Sequence, residues 1–294
     1  MTTWARLLDE ASRALGSRQE AKRLIEAVSG AGGAELVELL GHPAPARAAG
    51  HLAGLIERRR AGEPLQYVVG SWGFRRLDLM VDRRVLIPRP ETEMVVEAAL
   101  AELGRLGRDR DHSGPLLAVD LGTGSGAIAL ALAAEVPPSV GPVDIWATDS
   151  SAEALTVASA NLVGLAGRAA IRVRLVRGDW WDALPIELAG RVDLVVSNPP
   201  YVAAEDPIEP GVAEWEPPEA LWSGPSGLEA TGRILSKARD WLRPNGAVVL
   251  EIASPRAAES RRLAEAEGFQ VEVSADLAGR DRVLVARTGP PPAV

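Results

Sequence analysis

Five consecutive residues, Ser197-Asn198-Pro199-Pro200-Tyr201, bring together a side-chain amide, two proline rings and one of only two tyrosines in the chain. They follow Val192-Asp193-Leu194-Val195-Val196, an apolar run of the kind that forms a buried parallel strand. Proline has no N–H to give a central ladder, so the strand must stop there. Ligands in open α/β sheets bind at the carboxyl ends of strands, which is where this tetrad stands. The chemistry it suits is methyl transfer to a planar nitrogen. An amide nitrogen is a poor nucleophile because its lone pair is delocalised into the carbonyl. Two acceptors aimed at its N–H groups help it to pyramidalise. The Asn198 side-chain carbonyl is one. The Pro199 backbone carbonyl, its direction held by the ring of Pro200, is the other. Tyr201 can lie against the planar group. Orientation and electrostatics then carry the reaction, and no histidine is needed, because the nitrogen becomes acidic once it holds four substituents. A Pro-Pro turn ending a strand is the purely structural alternative.

A second motif lies upstream. Val119-Asp120-Leu121-Gly122-Thr123-Gly124-Ser125-Gly126-Ala127-Ile128 reads as strand, glycine loop and helix start. The glycines permit positive φ and a close approach of ligand to backbone, and the helix N-terminus offers free N–H groups. The spacing Gly122-x-Gly124-x-x-Ala127 also passes as a dinucleotide fingerprint, with Asp149 as the ribose acid. Asp120, before the first glycine, is ill placed beside a pyrophosphate and well placed for a cationic amino acid. With Ser125 and the third glycine, Gly126, the loop resembles the adenosylmethionine-binding loop of class I methyltransferases. Asp149, at the end of the next strand, could accept from both ribose hydroxyls, or could belong to a helix N-cap with Ser150 and Ser151. After the third strand, Asp179 could accept from an adenine amino group and Trp180 could cover the ring. Trp181 cannot face the same way in an extended segment.

Composition narrows the classes. The chain has 294 residues, 47% hydrophobic and 24% charged, which suits a globular protein of two domains. Its net charge of −8 runs against a broad nucleic-acid-binding surface. Without cysteine there is no disulfide, zinc–thiolate site or cysteine nucleophile, as in many cytoplasmic enzymes. His42, His51 and His112 have no metal-ligand spacing, so no metal is expected. The N-terminus is not a signal peptide, and no apolar run reaches membrane-spanning length.

The elements that must hold these motifs follow from periodicity. Residues 1–62 read as a small antiparallel set of helices, ending in Arg58-Arg59-Arg60, which suits a solvated helix C-terminus. Residues 63–90 read as a hairpin or extended linker. Ile87-Pro88-Arg89-Pro90-Glu91-Thr92 must be extended and stiff. It is either a rigid helix entry or a strap holding Arg89 or Glu91 beside the site. From Leu116, strands and helices alternate, which predicts a mainly parallel sheet covered on both faces. Residues 202–227 hold five prolines and read as a flap without secondary structure over the tetrad. Residues 289–294 read as a disordered tail.

Taken together, the tetrad, the glycine loop, Gly62-Glu63-Pro64, Ile87 to Thr92 and the closing Asp276-Leu277-Ala278-Gly279-Arg280-Asp281-Arg282 resemble the PrmC/HemK family over nearly the whole chain. The resemblance implies an α/β fold: a class I, Rossmann-like, seven-stranded methyltransferase domain over 91–288, preceded by an all-helical substrate-recognition domain and a β-hairpin linker. It implies S-adenosyl-L-methionine as cofactor, contacted by Gly122 to Gly126, Asp149, Trp180 and Asn198. It implies as substrate the Gly-Gly-Gln glutamine of class I peptide release factors, held by Asn198 to Tyr201. A cytoplasmic monomer with no nucleic-acid or membrane partner goes with that reading. Glu251-Ile252-Ala253-Ser254-Pro255 departs from the family in lacking a glycine and glutamine common there, and Val192 stands where an aromatic is common. The alternatives are an adenine-N6 nucleic-acid methyltransferase with the same tetrad, a nicotinamide oxidoreductase on the same loop, and a binding protein without catalysis.

Overall fold

The computed structural model describes residues 2–110, 114–165 and 172–289. His112, the tail beyond 289 and Ile171, where the alternating pattern predicts that the third strand, Ile171–Val176, begins, lie outside them. The chain divides into two compact units, 1–72 with 209–215, and 73–208 with 216–294.

The first unit is helical. It contains α1 (Trp4–Leu15), α2 (Arg18–Ser29), α3 (Gly33–Leu39), α4 (Ala46–Arg60) and the short α5 (Leu65–Val69). Thr3 and Ser17 cap α1 and α2 by accepting from Arg6 and Glu20 N–H, and Gly16 and Gly30 end them in the left-handed region. Their apolar stripes, Trp4, Leu7, Leu8 and Ala11 against Ala21, Leu24 and Ile25, bury one core with Leu36, Leu52 and Leu55. The arginine run at the end of α4 is only partly solvated. Arg59 forms a two-pronged pair with Glu20 at 2.8 and 3.0 Å. Arg58 pairs with Glu63 and donates to the Tyr67 carbonyl at 3.0 Å.

Two stretches expected to lack helix contain it. Leu65–Val69 is helical because Pro64 starts it and Gly70, at φ 83°, stops it. Within 202–227, α9 (Pro210–Trp215) and α10 (Pro218–Leu221) each begin on a proline, the helix position where a missing N–H costs nothing.

The second unit opens with the hairpin of β1 (Ser71–Phe74) and β2 (Leu77–Met80), within which the chain leaves the first unit. The helix α6 (Thr92–Arg108) then leads to β3 (Leu116–Leu121), α7 (Ala127–Glu135), β4 (Val143–Asp149), α8 (Ala152–Gly164), β5 (Val173–Arg177) and β6 (Val192–Ser197). After the proline-rich segment come α11 (Glu229–Trp241), β7 (Leu242–Glu251), α12 (Ala257–Ala266), β8 (Gln270–Ala275) and β9 (Asp281–Arg287). The seven strands β3–β9 lie in the order β5-β4-β3-β6-β7-β9-β8. All pairs are parallel except those of β9 with β7 and β8. Every residue of β6 is buried, as its mainly apolar pattern requires of a central strand, and the two polar ones are bonded, Asp193 accepting from the Leu117 N–H and Ser197 donating to the Leu121 carbonyl. The strand order reverses at β3, between β4 and β6. That is the point where such sheets open a crevice at their carboxyl edge.

Candidate active site

The glycine loop after β3, the turn after β4, the start of the turn after β5 and Asn198 after β6 border one cavity of about 390 Å³. Pro88 and Thr92 of the strap, and Pro217, Glu219 and Trp222 of the proline-rich segment, complete its wall. Of the residues singled out in the sequence, Gly122, Thr123, Gly124, Ser125, Asp149, Asp179, Trp180, Asn198 and Pro200 line it. Asp120, Gly126, Pro199 and Tyr201 stand outside that lining.

The loop is set by backbone strain that only glycine tolerates: Gly122, Gly124 and Gly126 lie at φ 74°, 56° and 85°. The Gly122 and Thr123 N–H groups both donate to the Thr148 carbonyl, at 2.9 and 2.8 Å, which ties the loop to β4. Asn161 on α8 braces it from outside, donating to the Ser125 carbonyl at 2.8 Å while exchanging hydrogen bonds with the backbone of Met80.

Two carboxylates serve the loop. Asp120 is wholly buried. Its Oδ2 accepts from the Thr123 hydroxyl at 2.6 Å and from the Ala129 N–H at 3.2 Å, so it pins the loop to the first turn of α7. Its Oδ1 is buried without a hydrogen-bond partner. Burial, with a smaller push from the charge of Asp149, raises its carboxyl to about 7 despite those two hydrogen bonds. Such an orphan acceptor calls for a cationic group nearby. Asp149 accepts from Gly124 N–H at 2.9 Å and from Ser151 N–H at 2.9 Å. Ser151 itself caps α8, so the capping turn and a cavity-facing acid coexist here. Burial raises the Asp149 carboxyl, and its backbone hydrogen bonds resist the rise.

The neighbouring tryptophans face opposite ways. Trp180 takes φ 50°, and its indole lies 3.6 Å from where a Cβ on Gly122 would stand, over the loop. Trp181 is buried, stacks on Trp241 with ring centres 5.6 Å apart, and donates its N–H to the Ile234 carbonyl. Asp179 lines the wall, but its Oδ2 is held by Arg233 at 2.5 Å in an exposed pair. An adenine amino group would have to use the other oxygen.

Beyond β6 the tetrad is anchored from both ends. The Ser197 hydroxyl donates to the Leu121 carbonyl at 2.5 Å, joining β6 to the base of the glycine loop. Asn198 Nδ2 donates to Thr92 Oγ1 at 3.1 Å, and the Thr92 hydroxyl donates to Glu251 Oε2 at 2.6 Å. The Tyr201 hydroxyl donates to the other oxygen, Glu251 Oε1, at 3.1 Å. Burial pushes the Glu251 carboxyl and the Tyr201 phenol upward. Below Tyr201, a Cβ at Gly227 would lie 2.7 Å from the Tyr201 carbonyl, so only glycine lets these backbones meet. Sequence reading overlooked Thr92 and Glu251 as site residues. The signal was present: Glu251 is an acid closing an apolar strand, like Asp120 and Asp149. The 202–227 segment is ordered, with Val202 N–H on the Leu221 carbonyl and Ser223 N–H on the Val202 carbonyl pinning its ends together.

Comparison with known proteins adds two domain models and close relatives. Residues 2–70 match the PrmC N-terminal domain, and residues 110–213 match the Methyltransferase small domain. A release factor glutamine methyltransferase of Xylella fastidiosa is 42% identical over 247 residues, covering 83% of this chain and 84% of its own. One from Cereibacter sphaeroides is 39% identical over 287 residues, covering 95% and 92%. Among solved structures, a methyltransferase from Pyrococcus furiosus superposes with a TM-score of 0.52 at 19% identity, over 72% of this chain and 89% of that one, which shows the shared fold.

Proposed function

The chain belongs to the release factor glutamine methyltransferase family, and from that premise we propose that it methylates the N5 amide nitrogen of the glutamine in the Gly-Gly-Gln motif of class I peptide release factors, modulating translation termination. The observation that carries this reading is that Asn198 and the glycine loop border one cavity, so a methyl donor and a planar nitrogen meet there.

S-adenosyl-L-methionine, when bound, supplies an electrophilic sulfonium methyl. The residues present fit it. The unpaired Asp120 Oδ1 and the left-handed glycine loop suit its cationic amino-acid end, Asp149 retains lone pairs for ribose hydroxyls, and Trp180 and Asp179 border the place for the base. At the acceptor side, the Asn198 carbonyl oxygen, on the cavity wall, and the backbone carbonyl of Pro199, between the lining residues Asn198 and Pro200, are the acceptors for the two N–H groups of the glutamine amide. Both acceptors grow in strength as the nitrogen pyramidalises, so they stabilise the transition state more than the ground state. One N–H proton is released after the new N–C bond forms. Pro200 holds the carbonyl direction, and Tyr201, fixed by Glu251, supports the pocket from behind.

The helical unit is assigned the grip on the release factor. One chain supplies the cavity, the tetrad and its supports, which suits a monomer. No helix among the described residues is long and apolar enough to cross a membrane, and a translation factor as substrate puts the enzyme in the cytoplasm. The test is methyl transfer from labelled cofactor to purified release factor and, in parallel, to duplex DNA. Label on the release-factor glutamine is expected. Label confined to DNA would instead identify an adenine methyltransferase.

A further inference from the structure

The orientation of the Asn198 amide decides whether the site works. With its oxygen toward the substrate, it meets the N–H of the glutamine amide. With its nitrogen there, donor faces donor. Asn198 is joined to a chain of hydrogen bonds that has one direction only. The Thr92 hydroxyl has a single proton, and at 2.6 Å that proton goes to Glu251 Oε2, because a carboxylate has nothing to donate. The Thr92 oxygen can therefore only accept on its other side, and Asn198 must present Nδ2 to it, at 3.1 Å. The Asn198 oxygen is left for the substrate. The second Glu251 oxygen takes the Tyr201 hydroxyl, so one carboxylate on β7 governs both ends of the tetrad.

The surroundings enforce this. Glu251 is 1% exposed and Thr92 is 3% exposed, so water does not offer either group a substitute partner. Thr92 opens α6, where Pro90 and Glu91 set the entry, and its N–H is already engaged by the Arg89 carbonyl. Burial raises the Glu251 carboxyl, and the Thr92 and Tyr201 hydroxyls that donate to it, with the charge of Arg282, oppose that rise.

We propose that Thr92 and Glu251 are positioning residues for methyl transfer: Glu251 fixes the proton of the Thr92 hydroxyl, and Thr92 thereby fixes which end of the Asn198 amide faces the substrate. This rests on the glutamine-methylation reading. It gives the Ile87–Thr92 strap a chemical task that neither Arg89 nor Glu91 performs.

Three variants of the full chain test it, with cofactor affinity measured for each so that turnover is compared at saturation. Thr92→Val keeps the shape and removes the hydroxyl. Its kcat is expected to fall on the order of 10- to 100-fold, the scale of a misplaced catalytic group, with KM for the release factor nearly unchanged. Thr92→Ser should restore most of the loss. Adding Thr92→Val to Asn198→Ala should cost almost nothing more, because a residue that acts through Asn198 has no effect without it. Thr92→Val with wild-type kcat, or a full additional loss on the Asn198→Ala background, overturns the proposal. A second readout is independent of activity. The Asn198 side-chain N–H resonances of the wild type should show one proton protected from exchange, a protection lost in Thr92→Val and regained in Thr92→Ser. Protection unchanged in Thr92→Val overturns the hydrogen-bond chain. A wild type that fails to label glutamine while this protection pattern holds counts against the functional reading alone.

Discussion

Arg89 and Glu216, 127 residues apart in the chain, form an ion pair at 2.5 Å, and the same Glu216 carboxylate accepts from the Ile87 N–H at 3.1 Å. The Glu216 side chain is 2% exposed. Two stiff segments of the cavity wall, the Pro88-Arg89-Pro90 strap and the Glu216-Pro217-Pro218 run, are thus joined at one buried acid. Arg89 makes this joint and lies outside the cavity lining.

Glu216→Ala strands the Ile87 N–H and frees the strap from the neighbouring segment. It should lower stability by about 1–3 kcal/mol, the cost of a buried unsatisfied group, and raise the cofactor dissociation constant about tenfold (1.4 kcal/mol). Denaturant melts and calorimetry measure the two effects. Glu216→Gln, which keeps an acceptor for Ile87, should lose less of both.

Asp149→Ala removes the acceptor that the reading gives to the ribose and also releases Gly124 N–H. Cofactor affinity should weaken by about tenfold or more (1.4 kcal/mol or more), while turnover at saturating cofactor stays close to wild type. Loss of turnover with unchanged affinity would move Asp149 out of the cofactor site.

The tryptophan pair separates binding from folding. Trp181→Ala deletes a buried ring stacked on Trp241 and should destabilise by about 3–5 kcal/mol, as large core truncations do. Trp180→Ala should change stability much less and weaken cofactor binding more. Thermal melts with and without cofactor distinguish them, and the reverse pattern would exchange their roles.

Asp120 gives a pH dependence with a defined sign. Folding raises its carboxyl from an ordinary 3.8 to about 7, so its protonated form favours the folded state. Its contribution is complete below about pH 4 and is lost as pH rises through about 7. Between those values the ligand-free wild type should lose stability relative to Asp120→Asn. A cationic ligand beside Asp120 favours the carboxylate, so cofactor binding near pH 6 should release a proton, seen as binding heats that vary with the ionisation enthalpy of the buffer. Equal heats in all buffers would contradict it.

The strands and helices of the second unit were legible because each is a single apolar pattern bounded by glycine, proline or an acid. So was the convergence of the glycine loop, Asp149 and Asn198, since strand order carries their ends to one edge. What was hidden is partnership across sequence. Thr92 and Glu251 are 159 residues apart, and no local pattern reports that one hydroxyl orients another residue's amide. Leu65–Val69, α9 and α10 were missed for a different reason. Their prolines and glycines resemble those of a loop, although a proline at the first position starts a helix as readily as one elsewhere ends it. Asp120 was expected at the ligand. The structure buries it wholly, with Oδ2 on Thr123 and Ala129 and Oδ1 left without a partner for a cationic group.

The central claim is that the Asn198 carbonyl activates a glutamine amide, and single-turnover methylation of purified release factor by Asn198→Ala, at saturating cofactor, tests it most directly. Removing an acceptor that strengthens in the transition state should slow the chemical step by on the order of 10²-fold or more, with release-factor binding close to wild type. A near-normal rate of glutamine methylation by Asn198→Ala would contradict the mechanism.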